Sequence, residues 1–272
     1  MSAGRLHAEF VASGGGRVLV TARLASSRSP GVLVAPAFAE EMNKSRRMVT
    51  ELALALAERG WSTVVVDLFG TGDSEGEFGD STLERWCADL IAARQWSAQH
   101  GVDIRALLGV RFGCLLAAEL ARRGAIGVQR TMFWQPVIDG TRMLDQFLRL
   151  RVAAQMIGDG AKETIGGLRE RLKSSRLEIA GYELSPELVS GIDGLKLGQG
   201  AAALGAIDWM EVMRSVDTPV GATSMRAIDA LKAGGSDVSL QTTTGDPFWT
   251  STEIVTSPAL VAASVEKLCL AA

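Results

Sequence analysis

Short apolar runs alternate with amphipathic helical patterns between residues 31 and 137. Each apolar run has the length and composition of a strand buried on both faces, and the segment after it spaces its apolar residues along one helix face. The alternating elements are strand 31–35, helix 43–59, strand 63–67, helix 82–100, strand 103–108, helix 114–123 and strand 131–137. This order is typical of a parallel sheet with helices packed on both faces.

Further elements extend the pattern in both directions. Near the start of the chain, runs at 6–11 and 17–23 flank a glycine-rich turn and predict an antiparallel hairpin. Later in the chain, strands are predicted at 207–213 and 238–243, with helices at 224–233 and 257–270. The sequence therefore predicts an α/β fold with an eight-stranded, mostly parallel sheet and helices on both faces.

Residues 139–205 interrupt this alternation. The segment is mostly helical in pattern, is rich in arginine and lysine, and contains one short strand-like run at 177–180. We interpret it as a helical cap that is inserted after the sixth strand and lies over the carboxyl edge of the sheet. The expected organisation is a core domain of residues 1–138 and 206–272 with a cap at 139–205.

Composition excludes several classes of protein. Apolar residues make up 47% of the chain and charged residues 22%, and the formal net charge of −3 does not fit a nucleic-acid binder. No apolar run is long enough for a membrane-spanning helix, and no signal peptide is visible. Cys87, Cys114 and Cys269 are too few and too dispersed for a disulfide framework. We expect a cytoplasmic protein with reduced core cysteines, no metal and no cofactor.

A glycine-rich segment with the sequence DLFGTGDSEG occupies residues 67–76, directly after a predicted strand. Its glycines allow a sharp turn over the edge of the sheet. No Lys-Ser or Lys-Thr pair follows, so the segment is not a phosphate-binding P-loop. The segment resembles the D-x-x-G-x-G-x-S-x-G signature that follows the fourth strand of α/β-hydrolases, and this resemblance implies their fold.

A second motif, GVRFG at residues 109–113, lies between a predicted strand and a predicted helix. Its spacing resembles the nucleophile elbow G-x-S-x-G of the α/β-hydrolases. The nucleophile position holds Arg111, whose guanidinium is always charged and has no lone pair for attack. The catalytic histidine of that superfamily follows the last strand, where residues 244–249 read TGDPFW, while His7 and His100 lie elsewhere. The sequence therefore excludes a Ser-His-Asp mechanism.

A charged loop follows the predicted strand at 31–35. Its candidate site residues are Phe38, Glu40, Glu41, Arg46 and Arg47. Acidic residues at the start of a helix complement the helix dipole, whereas arginines oppose it, so we expect the two arginines to pair with the two glutamates or with a ligand anion. The resemblance to α/β-hydrolases implies that the backbone amides of Phe38 and Phe112 occupy the oxyanion-hole positions.

Six segments of the sequence together resemble one family. They are AFAEEMNKSRRM at 37–48, GVRFGC at 109–114, FWQPV at 133–137, QFLRL at 146–150, IAGYELSP at 179–186 and GDPFW at 245–249. Over nearly its whole length the chain is similar to the second of two α/β-hydrolase-like families that are encoded with the exosortase A (PEP-CTERM) system. The resemblance implies a bacterial context of exopolysaccharide production and protein sorting, with arginine at the elbow as a family trait. It implies no particular substrate.

Several candidate residues have two interpretations. Arg111 either clamps a ligand anion at a helix N-terminus or forms an ion pair with Glu40 or Glu41. Glu41 either activates water as a general base or is the partner in that pair. Three aromatic residues also have two interpretations: they either line an apolar pocket under the cap or pack in the core. They are Trp134, Phe248 and Trp249.

Two hypotheses for function follow from these residues. The first is a hydrolase that acts on an acyl or ester substrate by a non-serine route, with Glu41 activating water and Arg111 holding an anionic group. The second is a catalytically silent protein that binds an acyl or carrier-linked intermediate, with a scaffold role as a third reading. The expected partners are a small-molecule or acyl-type substrate and a carrier protein, without nucleic acid. The sequence leaves the oligomeric state open.

Overall fold

The computed structural model describes residues 4–155, 163–198 and 204–270. Eight of its strands form one sheet: β1 (Arg5–Ser13), β2 (Gly16–Leu24), β3 (Ser29–Ala35), β4 (Ser62–Val66), β5 (Val102–Val110), β6 (Arg130–Trp134), β9 (Ala206–Met213) and β10 (Val238–Thr244). Their order across the sheet is β1-β2-β4-β3-β5-β6-β9-β10. The strand β2 pairs antiparallel with β1 and with β4, and every other neighbouring pair is parallel. This topology confirms the predicted fold class.

Helices cover both faces of the sheet, and the strands alternate their side chains between two apolar cores. On one face, α1 (Glu40–Glu58) and α8 (Pro258–Cys269) pack over Val32 and Val34 of β3. On the other face, α2 (Leu83–Gln99), α3 (Gly113–Arg122) and α7 (Ala222–Ala233) pack over Leu33 and its neighbours. A single turn of 3-10 helix at Phe78–Asp80 precedes α2.

The segment between β6 and β9 contains the helices α4 (Gly140–Gln155), α5 (Ile165–Arg171) and α6 (Pro186–Ile192). It also contains a hairpin of β7 (Leu177–Ile179) and β8 (Tyr182–Leu184), where the sequence predicts one strand. The two turn residues, Ala180 and Gly181, both have positive φ, which suits a tight hairpin turn. We call the described residues of this segment, 139–155 and 163–198, the cap segment. Residues 156–162 and 199–203 of the predicted insertion lie outside the described residues.

Two element boundaries near the elbow differ from the sequence prediction. The helix α1 begins at Glu40 rather than at residue 43, so both glutamates lie in its first turn. The strand β6 ends at Trp134 rather than at residue 137. It ends there because Gln135 has a φ of 44° and Pro136 has no backbone N–H for the ladder. No helix among the described residues is long and apolar enough to cross a membrane.

Candidate active site

The turn between β5 and α3 has the geometry of a nucleophile elbow. Arg111 has a φ of 54°, in the left-handed region that residues with a side chain rarely adopt. Two residues later, close packing makes glycine necessary, because a Cβ at Gly113 would clash with the carbonyl group of Ala35. The backbone N–H of Arg111 donates to the carbonyl oxygen of Trp134 at 3.0 Å, and the N–H of Val137 donates to the Arg111 carbonyl at 3.1 Å. The elbow is thus fixed to the carboxyl end of β6.

The Arg111 side chain forms an ion pair with Glu41. Its Nη2 lies 3.0 Å from Oε1 of Glu41, and its Nε donates to both carboxylate oxygens at 3.2 Å. Nη1 donates to the backbone carbonyl of Gln135 at 2.8 Å, and the guanidinium lies 5.0 Å from the centre of the Trp249 ring. The pair is partly buried, with 17% of the Arg111 side chain and 26% of the Glu41 side chain exposed. This confirms the expected pairing at the elbow and assigns it to Glu41.

Glu40 takes a different partner, in the cap segment. The hydroxyl group of Tyr182 in β8 donates to Oε2 of Glu40 at 3.2 Å, and the side-chain amide of Asn43 donates to the same oxygen at 3.2 Å. Burial, and the negative charge of Glu40, raise the pKa of Tyr182 to about 12. The first turn of α1 therefore holds the elbow arginine through one glutamate and the cap hairpin through the other.

The expected pairing of Arg46 and Arg47 with these glutamates is wrong. Arg46 lies further along α1 and donates to the buried carboxylate of Asp67 at 2.9 Å, just beyond the end of β4. Arg47 lies on another face of α1 and pairs with Glu51, one helical turn away. The difference arises because α1 begins three residues earlier than predicted, which places the arginines in its second turn. The structure does not bring Arg47 to the elbow.

Phe38 and Phe112 pack together under the cap segment. Their ring centres lie 5.6 Å apart, and the Phe38 ring also packs edge-on against Phe147 of α4 at 5.2 Å. Both side chains are buried in the core cluster that includes α2 and α3. Phe147 and Tyr182 therefore join the cap segment to the core through aromatic contacts.

The three aromatic residues for which the sequence leaves open a pocket under the cap or core packing lie in the core, on the opposite side of the sheet from the cap segment. Trp134 and Phe248 are fully buried in the core cluster beneath α1 and α8, with ring centres 6.1 Å apart. The indole N–H of Trp134 donates to the hydroxyl of Ser264 in α8 at 2.9 Å. The interpretation of a pocket under the cap is wrong for these two residues, because β6 directs Trp134 toward α8. Trp249 packs edge-on against Phe248 and also contacts the Arg111 guanidinium.

A small cavity of about 170 Å³ lies beside the elbow, next to the carboxyl ends of β3, β4 and β5. Apolar side chains line most of it, including Val34, Val66 and Val110, and the Arg46–Asp67 pair lies at its border. A wider surface groove of about 1230 Å³ lies at the opposite edge of the sheet and contains no elbow residue. Val110 is the residue of the elbow motif that lines the small cavity, and the Arg111 and Glu41 side chains do not line it.

Neither of the two histidines of the chain lies near the elbow. His7 lies in β1 and His100 caps α2, at the other edge of the sheet. Cys114, the thiol nearest to the elbow, is fully buried and donates to the carbonyl of Gly109. Burial raises the pKa of Cys114 well above its ordinary value, so the reactive thiolate is suppressed.

Comparison with known proteins gives the family. The family model described as serine aminopeptidase, S33, matches residues 31–178, which is more than half of the chain and includes the elbow. The chain belongs to the serine aminopeptidase S33 family. No protein among curated sequences matches the chain significantly.

Solved structures with the same fold cover almost all of this S33 family member. Est1E from Butyrivibrio proteoclasticus, solved with ferulic acid bound, has a TM-score of 0.67 at 17% identity and covers 97% of this chain and 98% of its own. Carboxyl esterase 2 from Tuber melanosporum has a TM-score of 0.62 at 14% identity, covering 99% and 85%. The thioesterase domain from the curacin biosynthetic pathway has a TM-score of 0.58 at 15% identity, covering 99% and 100%. At these identities the likeness establishes the α/β-hydrolase fold.

Sequence reasoning missed two residues of this S33 family site. Gln135 accepts a hydrogen bond from Arg111 through its backbone carbonyl, and its side-chain oxygen accepts from the N–H of Val212 at 2.8 Å. Tyr182 connects the cap segment to Glu40. Only the Gln135 position has a sequence signal, because Pro136 follows it and a proline has no backbone N–H for the strand ladder.

Proposed function

We propose that this α/β-hydrolase-fold protein binds an acyl- or ester-type small molecule, with Arg111 attracting an anionic group of the ligand, and does not perform serine-type hydrolysis. The observation that carries the proposal is the Arg111–Glu41 pair in the position of the nucleophile. A guanidinium at the N-terminus of α3, still partly open to solvent, is suited to a carboxylate or phosphate because it donates several hydrogen bonds in one plane.

The occupied carboxylate of Glu41 supports binding over catalysis. A general base must accept a proton from water, and both oxygens of Glu41 already accept hydrogen bonds from Arg111. The small cavity beside the elbow suits a short acyl group, since pockets for larger ligands usually have about 300–1,000 Å³. The cap segment, contacting the core through Phe147 and Tyr182, would act as a lid domain over this edge.

Hydrolysis by a non-serine route is the second candidate, and the exposure of the Glu41 side chain favours it. Because 26% of that side chain is exposed, water can reach the carboxylate. A substrate anion that binds Arg111 would compete with Glu41 for the guanidinium and release the carboxylate to activate water. Arg111 would then hold the substrate, and Glu41 would act as the base.

The biological setting forms part of the proposal. The resemblance of segments such as 37–48 and 179–186 to the exosortase A-associated family supports a role in exopolysaccharide production or protein sorting in a bacterium. We propose that the protein works in the cytoplasm on an intermediate that is free or attached to a carrier protein. The fold of this protein is similar to that of a thioesterase domain, and this similarity is compatible with a carrier-linked acyl group as the ligand.

The test incubates the purified protein with an extract of cells that make the polysaccharide and follows acyl and carrier-linked species by native mass spectrometry. We expect one species to stay bound to the wild-type protein without conversion and to be lost in Arg111→Ala. Arg105→Ala, which removes an exposed arginine paired with Asp103, is the matched control and should retain the species. Conversion of the species that stops in Glu41→Gln would establish hydrolysis instead. Binding that persists in Arg111→Ala would contradict both candidates.

A further inference from the structure

The only two histidines of the chain meet one carboxylate at the sheet edge distant from the elbow. His7 and Glu9 point to the same face of β1 because they are two residues apart in a strand. His100 reaches them from the C-terminal end of α2. The Nε2 atoms of His7 and His100 lie 3.4 Å and 3.6 Å from Oε2 of Glu9, and the three ligand atoms all lie within 4.8 Å of one another.

Trp96 of α2 orients this cluster. The Nδ1 atom of His100 lies 2.9 Å from the Trp96 carbonyl oxygen, which only accepts hydrogen bonds, so Nδ1 carries a proton and donates. In the neutral ring this leaves the lone pair on Nε2, the atom that faces Glu9. The Trp96 indole N–H donates to Oε2 of Glu9 at 2.7 Å, and the Trp96 ring stacks on His100 with centres 4.0 Å apart.

Trp96 supports both sides of the contact between His100 and Glu9, through its carbonyl oxygen and through its indole N–H. Metal-binding histidines typically donate a hydrogen bond from their second ring nitrogen to a carbonyl oxygen, and metal-binding carboxylates typically accept one from a nearby donor. Trp96 makes both of these contacts here.

The lone pair on Nε2 of His100 and the Glu9 carboxylate are two acceptors that face each other and repel. A cation bound between them removes this repulsion. A proton bridges a single pair of atoms, whereas a metal ion satisfies three ligands at once. Tetrahedral zinc with ligands at about 2.0–2.1 Å places neighbouring ligand atoms about 3.3 Å apart. The separations of 3.4 Å and 3.6 Å between the Glu9 oxygen and the two imidazole nitrogens are close to that spacing, and the two nitrogens lie within 4.8 Å of each other.

We propose that His7, Glu9 and His100 form a binding site for a divalent transition-metal ion, with zinc as the best match to two imidazoles and one carboxylate. The side chains are 28%, 48% and 30% exposed, so the ion can enter from solvent and keep water in its fourth position. The bound ion would tie β1 to the end of α2. The sequence predicts no metal here, because His100 is far from His7 and Glu9 along the chain.

Isothermal titration calorimetry with zinc chloride tests the site, using protein without a histidine tag. We expect one zinc ion per chain, with affinity lowered at least tenfold in His7→Ala and in His100→Ala, and no binding of magnesium chloride. Cys269→Ser, which removes the half-buried thiol, is the control and should bind zinc like the wild type. Zinc should also raise the melting temperature of the wild type and of Cys269→Ser but not of the histidine variants.

Cobalt absorption gives a second readout that does not depend on the stability of one variant. Four-coordinate cobalt should produce strong visible bands with the wild type, and these bands should be absent in His7→Gln and His100→Gln, provided that circular dichroism shows both variants folded. The proposal is overturned if the wild type binds no zinc, or if zinc binding and the cobalt bands survive in either folded histidine variant.

Discussion

Arg111 adopts the backbone of a nucleophile while its side chain is bound to Glu41, Gln135 and Trp249. The φ of 54° places it in the left-handed region, which for a residue with a Cβ costs roughly 1–2 kcal/mol. The close approach of Gly113 to β3 and the backbone hydrogen bonds of Arg111 with Trp134 and Val137 hold this conformation. Arg111 thus combines a strained backbone conformation with a side-chain charge that the Glu41 carboxylate neutralises.

Restoring serine at the elbow should not restore a serine hydrolase. A serine without a base stays protonated and is a weak nucleophile, and both histidines lie at the other edge of the sheet. We therefore expect Arg111→Ser to hydrolyse p-nitrophenyl esters no faster than heat-denatured protein and to resist a fluorophosphonate probe. A serine esterase assayed in parallel is the positive control. Stoichiometric labelling at position 111 would contradict this prediction.

Removing the arginine should destabilise the protein by leaving Glu41 without its partner. The pair is neither fully buried nor fully exposed, so we expect Arg111→Ala to lower the free energy of unfolding by about 1–3 kcal/mol. Urea unfolding measures this change, and a double-mutant cycle with Glu41→Gln isolates the interaction. A coupling free energy near zero would show that the pair does not stabilise the elbow.

At the scale of elements, the first turn of α1 connects the elbow with the cap segment. Glu41 reaches Arg111, and Glu40 reaches Tyr182 in β8. The sequence places acids at this helix start but gives the start three residues late, because the backbone at Ala39 has a φ of 51° and no capping side chain marks the boundary. The partners of the glutamates depend on that boundary, so the sequence predicts that Arg111 pairs with one of the two glutamates but not with which one, and it does not predict Tyr182 as the partner of Glu40.

Tyr182 offers a direct test of this connection, because it is the only tyrosine in the chain. Its pKa of about 12 exceeds the ordinary value near 10, chiefly because of burial and then because of Glu40. A tyrosine that ionises late in the folded state contributes stability below pH 10 that is lost as the pH rises toward 12. Absorbance at the tyrosinate band should give the elevated pKa, and Glu40→Gln should lower it. Titration of the folded wild type at the ordinary pKa would contradict the burial.

At the scale of the whole molecule, the order of strands and helices could be predicted because period and length determine it locally. The site could be predicted only in part: the pairing of Arg111 with a glutamate of α1 is expected from the sequence, whereas its contacts with Gln135 at the end of β6 and with Trp249 after β10 depend on the tertiary structure. Trp134 illustrates the limit: its apolar character predicts burial, but only the strand register shows that it faces α8. The sequence pattern predicts β7 but not β8, because each strand of this hairpin has only three residues.

The buried thiols should report on unfolding of the whole molecule. Cys87 in α2 and Cys114 in α3 are almost fully buried, and burial raises the pKa of Cys87 to about 11. We expect neither thiol to react with Ellman's reagent in the native protein at neutral pH, and both to react at the rate of global unfolding. Stopped-flow labelling across a urea series, compared with tryptophan fluorescence, measures this. Cys269→Ser removes the half-buried thiol from the signal, and labelling far faster than unfolding would reveal local opening.

The elbow has a consequence for protein engineering. Its shape is set by Gly113 against Ala35 and by the backbone hydrogen bonds of Arg111 with Trp134 and Val137, and none of these contacts involves the side chain at position 111. The backbone of the turn therefore holds any side chain at position 111 in the same orientation relative to the sheet edge. To introduce new chemistry at this position, the residues around the side chain, such as Glu41 and Trp249, must be exchanged, while the backbone can be left as it is.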